Sequence, residues 1–284
     1  MSASKQALRR RMNSVQNTQK ITNAMQMLAV NKYAYNMNRL ETHLEHSKFI
    51  KGVLQRILWQ LDETEGVYLH QNDVERSAII IFTSDMGLCG AYNQNVLQKT
   101  IDIASEDDVL VVIGKRGHSW LKERGMNVVN EMIKIEEISE NQLKRITDMA
   151  TKAFIDNQVK SVKLVYSKYI NPLSNEPTVL TLLPLSRDES YNDDQRELIF
   201  EPNEAVALEY LVPLYLDTVI MGYKLESMVC EHSARRMSMD KAVDNAEELL
   251  DSLRNTYHKD RQAKITQEIT EIVSGANLRK DGVR

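Results

Sequence analysis

The chain has 284 residues, of which 42% are hydrophobic and 27% are charged, an ordinary composition for a protein with a substantial core. Only five prolines and ten glycines occur, which permits unusually long helices. No run approaches about 18 consecutive apolar residues, and the start lacks the apolar core of a secretory signal, so we expect no bilayer-spanning segment and no signal peptide. Two cysteines do not make a disulfide framework, and a reducing, cytoplasmic setting is the simpler expectation.

The formal net charge of −4 is distributed unevenly along the chain. The first 40 residues contain seven Lys and Arg and no Asp or Glu, so this segment carries +7 and the remainder carries −11. A basic helical arm of this kind is compatible with a mitochondrial presequence, with nucleic-acid binding or with docking on an acidic protein surface. An ordinary solvated helix face is the fourth possibility.

Residues 1–62 are predicted to form one long helix. Its apolar residues recur at spacings of three and four, the pattern of an amphipathic helix. They are Ile21, Met25, Leu28, Tyr33, Met37, Leu40, Leu44, Ile50, Leu54, Ile57 and Leu61. Such a helix would be roughly 85–90 Å long at 1.5 Å per residue. A stripe of this length needs a partner, because an isolated helix is only marginally stable in water.

The middle of the chain, residues 74–200, is predicted to be an α/β domain. Apolar, β-branched runs at 78–82, 109–113, 162–169 and 178–183 read as strands. Helical patterns at 91–105, 115–125 and 139–157 lie between them. Alternation of strands and helices is typical of a mostly parallel sheet flanked by helices. The acidic stretch at 186–197 reads as a loop.

Residues 203–284 are predicted to form a second long helix. A heptad seam runs through positions that alternate at four and three. These are Met239, Val243, Ala246, Leu250, Leu253 and Tyr257, and the stripe resumes at Ile265, Ile269, Ile272 and Ala276 after a shift of one residue. Because both long helices join the same central domain, we expect them to pair with each other as an antiparallel coiled coil.

A parallel sheet raises the question of nucleotide binding. The chain contains neither G-x-x-x-x-G-K-[ST] nor a G-x-G-x-x-G motif after a strand. Gly114 and Gly117 follow a predicted strand, but the segment lacks the magnesium-binding Ser/Thr and the glycine spacing of a phosphate loop. An ordinary strand-to-helix turn is the better interpretation there.

Two further groups of residues are candidate chemical sites. The turn at 84–93 holds Asp85 and Cys89, where a nucleophile or a metal ligand could act, although a structural turn with a buried cysteine explains the same residues. His43 and His46 are three residues apart on the first helix, which falls far short of a zinc site. We therefore predict no catalytic residue, no cofactor and no metal, with an enzyme using the Asp85/Cys89 turn kept as a competing hypothesis.

Three stretches resemble the γ subunit of F-type ATP synthases. They are LRRRMNSVQNTQKIT at 8–22, SDMGLCGAYN at 84–93 and RQAKITQEITEIVSGA at 261–276, and the last is highly specific to that family. The resemblance covers essentially the whole chain and begins almost at Met1. It therefore implies that the basic arm belongs to the mature protein and favours a bacterial source.

The resemblance implies a non-catalytic rotor shaft. In this family the paired helices sit inside a ring of α and β subunits, and the foot of the shaft rests, with the ε subunit, on a membrane ring of c subunits. The implied role is torque transmission that couples ion flow to ATP synthesis or hydrolysis, at the cytoplasmic face of the bacterial cell membrane. No nucleic-acid or small-molecule partner is expected, and a γ-like shaft of a specialised paralogous rotary ATPase is the alternative.

The resemblance also assigns partner contacts to individual residues. The positions that match contacts with the β subunit are Arg261, Gln262, Thr266 and Arg235, and the basic face of the arm, including Arg9, Arg10 and Lys20, fits an acidic loop on β. Glu201 matches a position in the foot near the c ring. A nucleic-acid-binding protein using the basic arm is the third hypothesis, although the arm lacks interleaved aromatics and the rest of the chain is acidic.

Overall fold

A computed structural model describes residues 3–60, 67–188 and 204–281, with side chains described for 6–60, 67–188 and 206–273. Helices lie at both ends of the chain and a sheet lies between them. The elements in chain order are α1 (Ala3–Gln60), β1 (Ala78–Phe82), α2 (Tyr92–Ile103), β2 (Val109–Ile113), α3 (Lys115–Glu123), α4 (Glu140–Ile155), β3 (Val162–Asn171), β4 (Ser174–Leu183) and α5 (Glu204–Asp281).

The four strands form one mixed sheet in the order β2-β1-β3-β4. Strand β1 pairs in parallel with β2 and β3, whereas β3 and β4 form an antiparallel hairpin. The predicted mostly parallel sheet flanked by helices is therefore confirmed. The bounds of β1 and β2 agree with the sequence pattern, while β3 and β4 extend further into their shared hairpin, where polar residues hid the strand signal.

Both faces of β1 are buried, which explains its unbroken apolar run. Ile79 and Ile81 pack in a cluster with residues of α2 and α3. Ile80 and Phe82 point to the opposite face, into the main core. That core includes residues of α1, α4 and α5, among them Leu54, Leu58, Phe154, Leu208, Val212 and Leu216. Parts of both long helices thus belong to the core of the sheet domain.

The outer edge of β2 is covered by the chain that follows α3. Val128 and Ile133 form isolated parallel bridges with Leu110 and Ile113. Between them, the Asn130 carboxamide accepts a hydrogen bond from the Val112 N–H and donates one to the Val112 carbonyl, both at 2.8 Å. This side chain occupies the place of a neighbouring strand, so the edge presents fewer free groups for unwanted pairing.

The chain divides into two compact units, one of Met1–Leu28 with Ser238–Arg284 and the other of Ala29–Met237. In the second unit α1 and α5 pack antiparallel. The His43 ring donates from Nε2 to the Thr218 carbonyl at 2.6 Å. Leu40, which precedes His43 in α1, packs with Leu225 and Val229, which follow Thr218 in α5.

In the first unit the two helices share the predicted seam. The Gln26 carboxamide donates to the Asp240 carboxylate at 2.7 Å. The six predicted seam positions of α5 are all buried or half-buried. They are Met239, Val243, Ala246, Leu250, Leu253 and Tyr257. All but the first of these positions follow Asp240 along α5, whereas nearly all the α1 residues of this unit precede Gln26. The two helices must therefore run in opposite directions for α1 to cover the seam.

The predicted stripe on α1 is only partly correct. Tyr33, Leu40, Ile50, Leu54 and Ile57 are buried or half-buried as expected, but three other members of the stripe are exposed. These are Ile21, Leu28 and Leu44. Small and polar residues take inward positions on the same helix, namely Ala29, Asn36, His43 and Ser47. Hydrophobicity alone therefore predicts some of the inward positions of α1 wrongly, because two closely packed helices favour small side chains at some of their contact positions.

Three apolar residues near the end of the described part of α5 are uncovered. Ile265, Ile269 and Ile272 are 45%, 56% and 70% exposed, although the sequence pattern placed them on the same stripe. Counting equally along both helices from the Gln26–Asp240 contact, the first residue of α1 comes opposite position 263. The described part of α1 therefore does not reach far enough along α5 for these isoleucines to pack on it.

One described helix is long and apolar enough, by length and composition alone, to cross a membrane. It is α5, within Val206–Val273, with a mean hydropathy of 1.2 in its most apolar window. The core helix of a protein domain passes the same test. Leu208, Val212, Leu216 and Ile220 of α5 lie in the main core against the sheet, so core packing accounts for the buried third of this apolar run.

Candidate partner-binding site

At the carboxyl ends of β1 and β2, where α/β sheets usually bind ligands, the first backbone N–H groups of α3 are bonded to the chain's own groups. A phosphate would need the free N–H groups at the start of α3. The Lys115 N–H instead donates to Asp85 Oδ1 at 3.2 Å, and the Arg116 N–H to the Ser84 carbonyl at 3.0 Å. The Gly117 N–H donates to Thr83 Oγ1 at 3.1 Å.

Gly114 and Gly117 serve this close packing. A Cβ on Gly114 would lie 2.1 Å from the Thr83 carbonyl oxygen, and one on Gly117 would lie 2.5 Å from the Thr83 side chain. Gly114 also has a φ of +117°. The glycines therefore allow α3 to approach β1, as expected for an ordinary strand-to-helix turn.

The turn between β1 and α2, residues 83–91, is held by its own polar side chains. Asn93 Oδ1 accepts from the Ser84 N–H at 3.0 Å, and Asn93 Nδ2 donates to Ser84 Oγ at 2.6 Å. Asn93 Nδ2 also lies 3.3 Å from Cys89 Sγ. Burial raises the pKa of the Cys89 thiol, which disfavours the reactive thiolate. The geometry therefore fits a structural turn better than a nucleophile.

Asp85 is likewise used for structure. Its Oδ1 accepts from the backbone N–H groups of Lys115 and Ile135, and its Oδ2 accepts from that of Glu136. These bonds fix the start of α3 and the segment before α4 to the turn. Both oxygens of the candidate ligand are thus already engaged.

A partly buried charged cluster connects α5 to this turn and to α1. Arg235 and Glu231 lie one helical turn apart on α5 and form an ion pair of 2.7 Å. Glu136 binds Lys32 of α1 at 2.6 Å through each of its carboxylate oxygens. His232 Nε2 lies 3.7 Å from Glu136 Oε1. Sequence reasoning missed this cluster, although a Glu–Arg pair at i, i+4 was readable in the sequence.

The cluster has the residue types of a metal site, since ligand atoms of Glu136, Glu231 and His232 lie within 4.8 Å of one another. Glu231 Oε2 and His232 Nε2 are buried and have no hydrogen-bond partner among the described residues. Arg235 Nη1, however, lies 3.2 Å from His232 Nδ1. A guanidinium can only donate, so Nδ1 accepts and the proton of the neutral ring sits on Nε2, which leaves neither ring nitrogen with a free lone pair for a metal.

Burial shifts the protonation of these groups in opposite directions. It raises the pKa of Glu231 to about 7, against the opposing effect of Arg235. Burial, together with the Arg235 charge, lowers the pKa of His232 to about 4. Burial would also raise the pKa of Glu136, but the hydrogen bond and charge of Lys32 outweigh it, and that pKa is lowered. His232 is therefore neutral at pH 7.

The basic arm presents its predicted residues to solvent. Arg9, Arg10 and Lys20 are all exposed on α1. Arg261, Gln262 and Thr266 are exposed near the far end of α5, and the Thr266 hydroxyl donates to the Gln262 carbonyl at 3.0 Å. These two sets of residues belong to the same compact unit. Their contacts with a β subunit stay predictions.

The two remaining predicted residues differ from this pattern. Arg235 is only 7% exposed and belongs to the other unit, where its guanidinium bonds within the chain. Its predicted contact with a partner is untested, but the group is not displayed on the surface as Arg261 is. Glu201, the predicted foot residue, lies outside the described residues.

Comparison with known proteins identifies the family. The ATP synthase family model matches residues 4–277. The ATP synthase gamma chain of Clostridium novyi is 33% identical over 278 residues, covering 96% of this chain and 98% of that protein. The gamma chain of Mesoplasma florum is 32% identical over 273 residues, covering 95% and 96%.

Solved structures show the same fold. A chain from the Euglena gracilis mitochondrial ATP synthase, in a structure of its OSCP/F1/c-ring, matches with a TM-score of 0.73 at 15% identity, covering 99% of this chain and 96% of that chain. A chain from the central stalk and c-ring structure of the Tetrahymena thermophila enzyme matches with a TM-score of 0.60 at 22% identity, covering 78% and 99%. The matches in sequence extend over nearly the full length, and the chain belongs to the ATP synthase gamma chain family.

Proposed function

We propose that this chain is the rotor shaft of a bacterial F-type ATP synthase and transmits torque between a membrane c ring and a catalytic ring of α and β subunits. The observation that carries the proposal is the antiparallel packing of α1 and α5, together with the exposure of Ile265, Ile269 and Ile272 on the described part of α5. A shaft has to resist bending, which a paired helix does better than a single one. Its end also needs a surrounding protein to cover exposed isoleucines.

The chain itself does no chemistry in this proposal. The parallel part of its mixed sheet resembles a nucleotide-binding sheet, but the N–H groups at the start of α3 are bonded to Thr83, Ser84 and Asp85. The proposed role of the sheet domain is mechanical. It anchors both long helices, because residues of α1 and α5 fill the core on one face of the sheet.

The proposed contacts with β fall on exposed residues of the shaft. Arg261, Gln262 and Thr266 would meet one β loop, and the basic arm with Arg9, Arg10 and Lys20 would meet an acidic one. Each exposed ion pair contributes only about 0–1 kcal/mol. Weak contacts suit a shaft that has to leave one β subunit for the next.

The remaining partners follow from the same proposal. The ε subunit and the c ring would bind the foot, with Glu201 near the ring, and the complex would be peripheral at the cytoplasmic face of the cell membrane. Ion transport would be carried by other subunits. A γ-like shaft of a specialised rotary ATPase would have the same fold, and the identity of the co-purifying subunits distinguishes the two.

Co-purification from the native cell membrane, followed by identification of the bound subunits, tests the proposal. We expect α, β, ε and c subunits with the full-length chain, and no ATP hydrolysis by the chain alone. A chain ending at Asp260 should lose coupling before it loses assembly. ATP hydrolysis by the isolated chain, or purification without ATPase subunits, would overturn the shaft proposal.

A further inference from the structure

The buried guanidinium of Arg235 connects α5 to the turn at 83–91. Its Nη2 donates to the Met86 carbonyl at 3.0 Å and lies 3.4 Å from the Gly87 carbonyl, which Nε also approaches at 3.4 Å. Its Nη1 is paired with Glu231 and faces His232. Arg235 thus directs its donors to α5 on one side and to two consecutive carbonyls of the turn on the other.

The turn that Arg235 holds has an unfavourable backbone conformation. Leu88 has a φ of +63°, in the left-handed region that residues with a Cβ rarely adopt. A Cβ on Gly87 would lie 2.6 Å from Nη2 of the exposed Arg116 side chain. Such a conformation persists only where surrounding contacts enforce it.

The turn carries two large apolar side chains outward. Met86 and Leu88 are 58% and 61% exposed, whereas Cys89 beside them is 2% exposed and packs with Tyr92 and with Cys230 of α5. One apolar contact and one polar contact therefore join the turn to α5. The apolar contact lies at Cys89, and the polar contact lies at Arg235.

We infer that Arg235 is a positioning residue that acts inside the subunit by fixing the turn at 83–91 against α5. A direct contact with another subunit would require the guanidinium to leave Glu231 and both turn carbonyls, which would leave a buried carboxylate unpaired. The consequence for coupling rests on the proposed function, because the fixed turn would hold Met86 and Leu88 at a constant position on the rotating shaft. The positioning itself does not depend on that function.

The test uses the two thiols of the full-length chain as internal reporters. Cys89 lies in the turn, and Cys230 lies on α5 and is fully buried. Alkylation of each thiol under native conditions is followed by mass spectrometry of its peptide. We expect Arg235→Met to increase the rate at Cys89 on the order of tenfold while Cys230 stays protected, because only the turn opens. The neighbouring substitution Arg236→Met serves as the matched control and should leave both rates unchanged.

A conservative variant decides the case in which Arg235→Met unfolds the chain and exposes both thiols. Arg235→Lys keeps a positive charge for Glu231 but cannot bond to both carbonyls at once. We expect intermediate Cys89 reactivity with Cys230 protected. Cys89 reactivity equal to that of the wild type in Arg235→Lys, or in a folded Arg235→Met chain, would overturn the inference.

The assembled complex separates the positioning role from a general loss of structure. With the amount of incorporated chain held equal, we expect Arg235→Met to lower ATP-driven ion pumping more than ATP hydrolysis and Arg235→Lys to restore part of the pumping. If the thiol result holds but pumping per ATP is unchanged, the turn is positioned by Arg235 and its proposed link to coupling is wrong. If the chain does not join an ATPase, the proposed function fails while the thiol result still stands.

Discussion

Glu231 and Arg235 form an ion pair of 2.7 Å in which both side chains are almost completely buried. Removing two charges from water is costly, and an arrangement of this kind is weak evidence for stability unless other bonds satisfy the partners. Arg235 finds those bonds in the turn after β1, whereas Glu231 Oε2 has no partner among the described residues. The carboxylate is therefore the destabilised member of the pair, and its protonation should affect the stability of the fold.

Replacing Glu231 with Gln should remove a pH dependence of stability. The pKa of Glu231 is about 7 in the fold, against an ordinary value of 4.5, so protonation favours the fold. The contribution is fully present below pH 4.5 and is lost as the pH rises through 7. Relative to the wild type, the Gln variant should gain up to about 3 kcal/mol in free energy of unfolding between pH 4.5 and pH 8. Urea unfolding at both pH values measures this, and a difference that does not change with pH would contradict it.

Replacing His232 should act in the opposite direction. The pKa of His232 falls from 6.5 to about 4 in the fold, so its stabilising contribution exists above pH 6.5 and is lost as the pH falls through 4. His232→Asn keeps an acceptor for Arg235 but does not titrate there. Between pH 7 and pH 4 this variant should lose up to about 3 kcal/mol less than the wild type. Exposed His46, changed to Asn, provides the control, and equal acid sensitivity of the two variants would refute the assignment.

Removing the Asn130 carboxamide should loosen the outer edge of β2. Asn130→Ala leaves the Val112 N–H and carbonyl without their 2.8 Å partners. An unsatisfied buried polar group costs about 1–3 kcal/mol, so the free energy of unfolding should fall by that order. Amide exchange at Val112 should become faster, which hydrogen exchange with mass spectrometry can follow. Asn141→Ala, at an exposed position of α4, should change neither quantity.

Regular elements were predictable because local patterns determine them. The short strand of Ala78–Phe82 is apolar throughout since both of its faces are covered, and Ser139 caps the start of α4 in a capping box completed by Gln142. The α5 seam was also readable, because Leu250 and Leu253 mark it with large apolar side chains. At these positions the character of the residue, apolar or capping, matches the environment that the fold gives it.

The remaining features depend on tertiary contacts that no local pattern specifies. The α1 seam passes through Ala29 and Asn36, whereas Leu28 faces outward, so the most hydrophobic residue was a poor guide to the inward face. Arg235 resembles a surface contact in the sequence, and only the turn brought close by the fold shows that its charge is buried. The predicted residues Arg261 and Lys20 lie in an exposed setting, but their predicted partners belong to other chains.

The uncovered end of α5 provides a direct test of the difference between folding and assembly. Ile269 is 56% exposed and lies beyond the described start of α1, whereas Leu250 is 3% exposed in the seam. Ile269→Ser should therefore change the free energy of unfolding of the isolated chain by no more than about 0.5 kcal/mol. Leu250→Ser should lower it by about 2–5 kcal/mol, because it empties a packed site.

Assembly should reverse that order. If other subunits cover the α5 end, Ile269→Ser removes apolar contact only in the complex, so less of the variant chain should co-purify with the catalytic subunits, or the complex should dissociate at a lower temperature. Leu250→Ser chains that remain folded should still present the same α5 end and assemble to a greater extent than Ile269→Ser chains. Normal assembly and stability of the Ile269→Ser complex would mean that its exposed isoleucine is not a contact of the shaft.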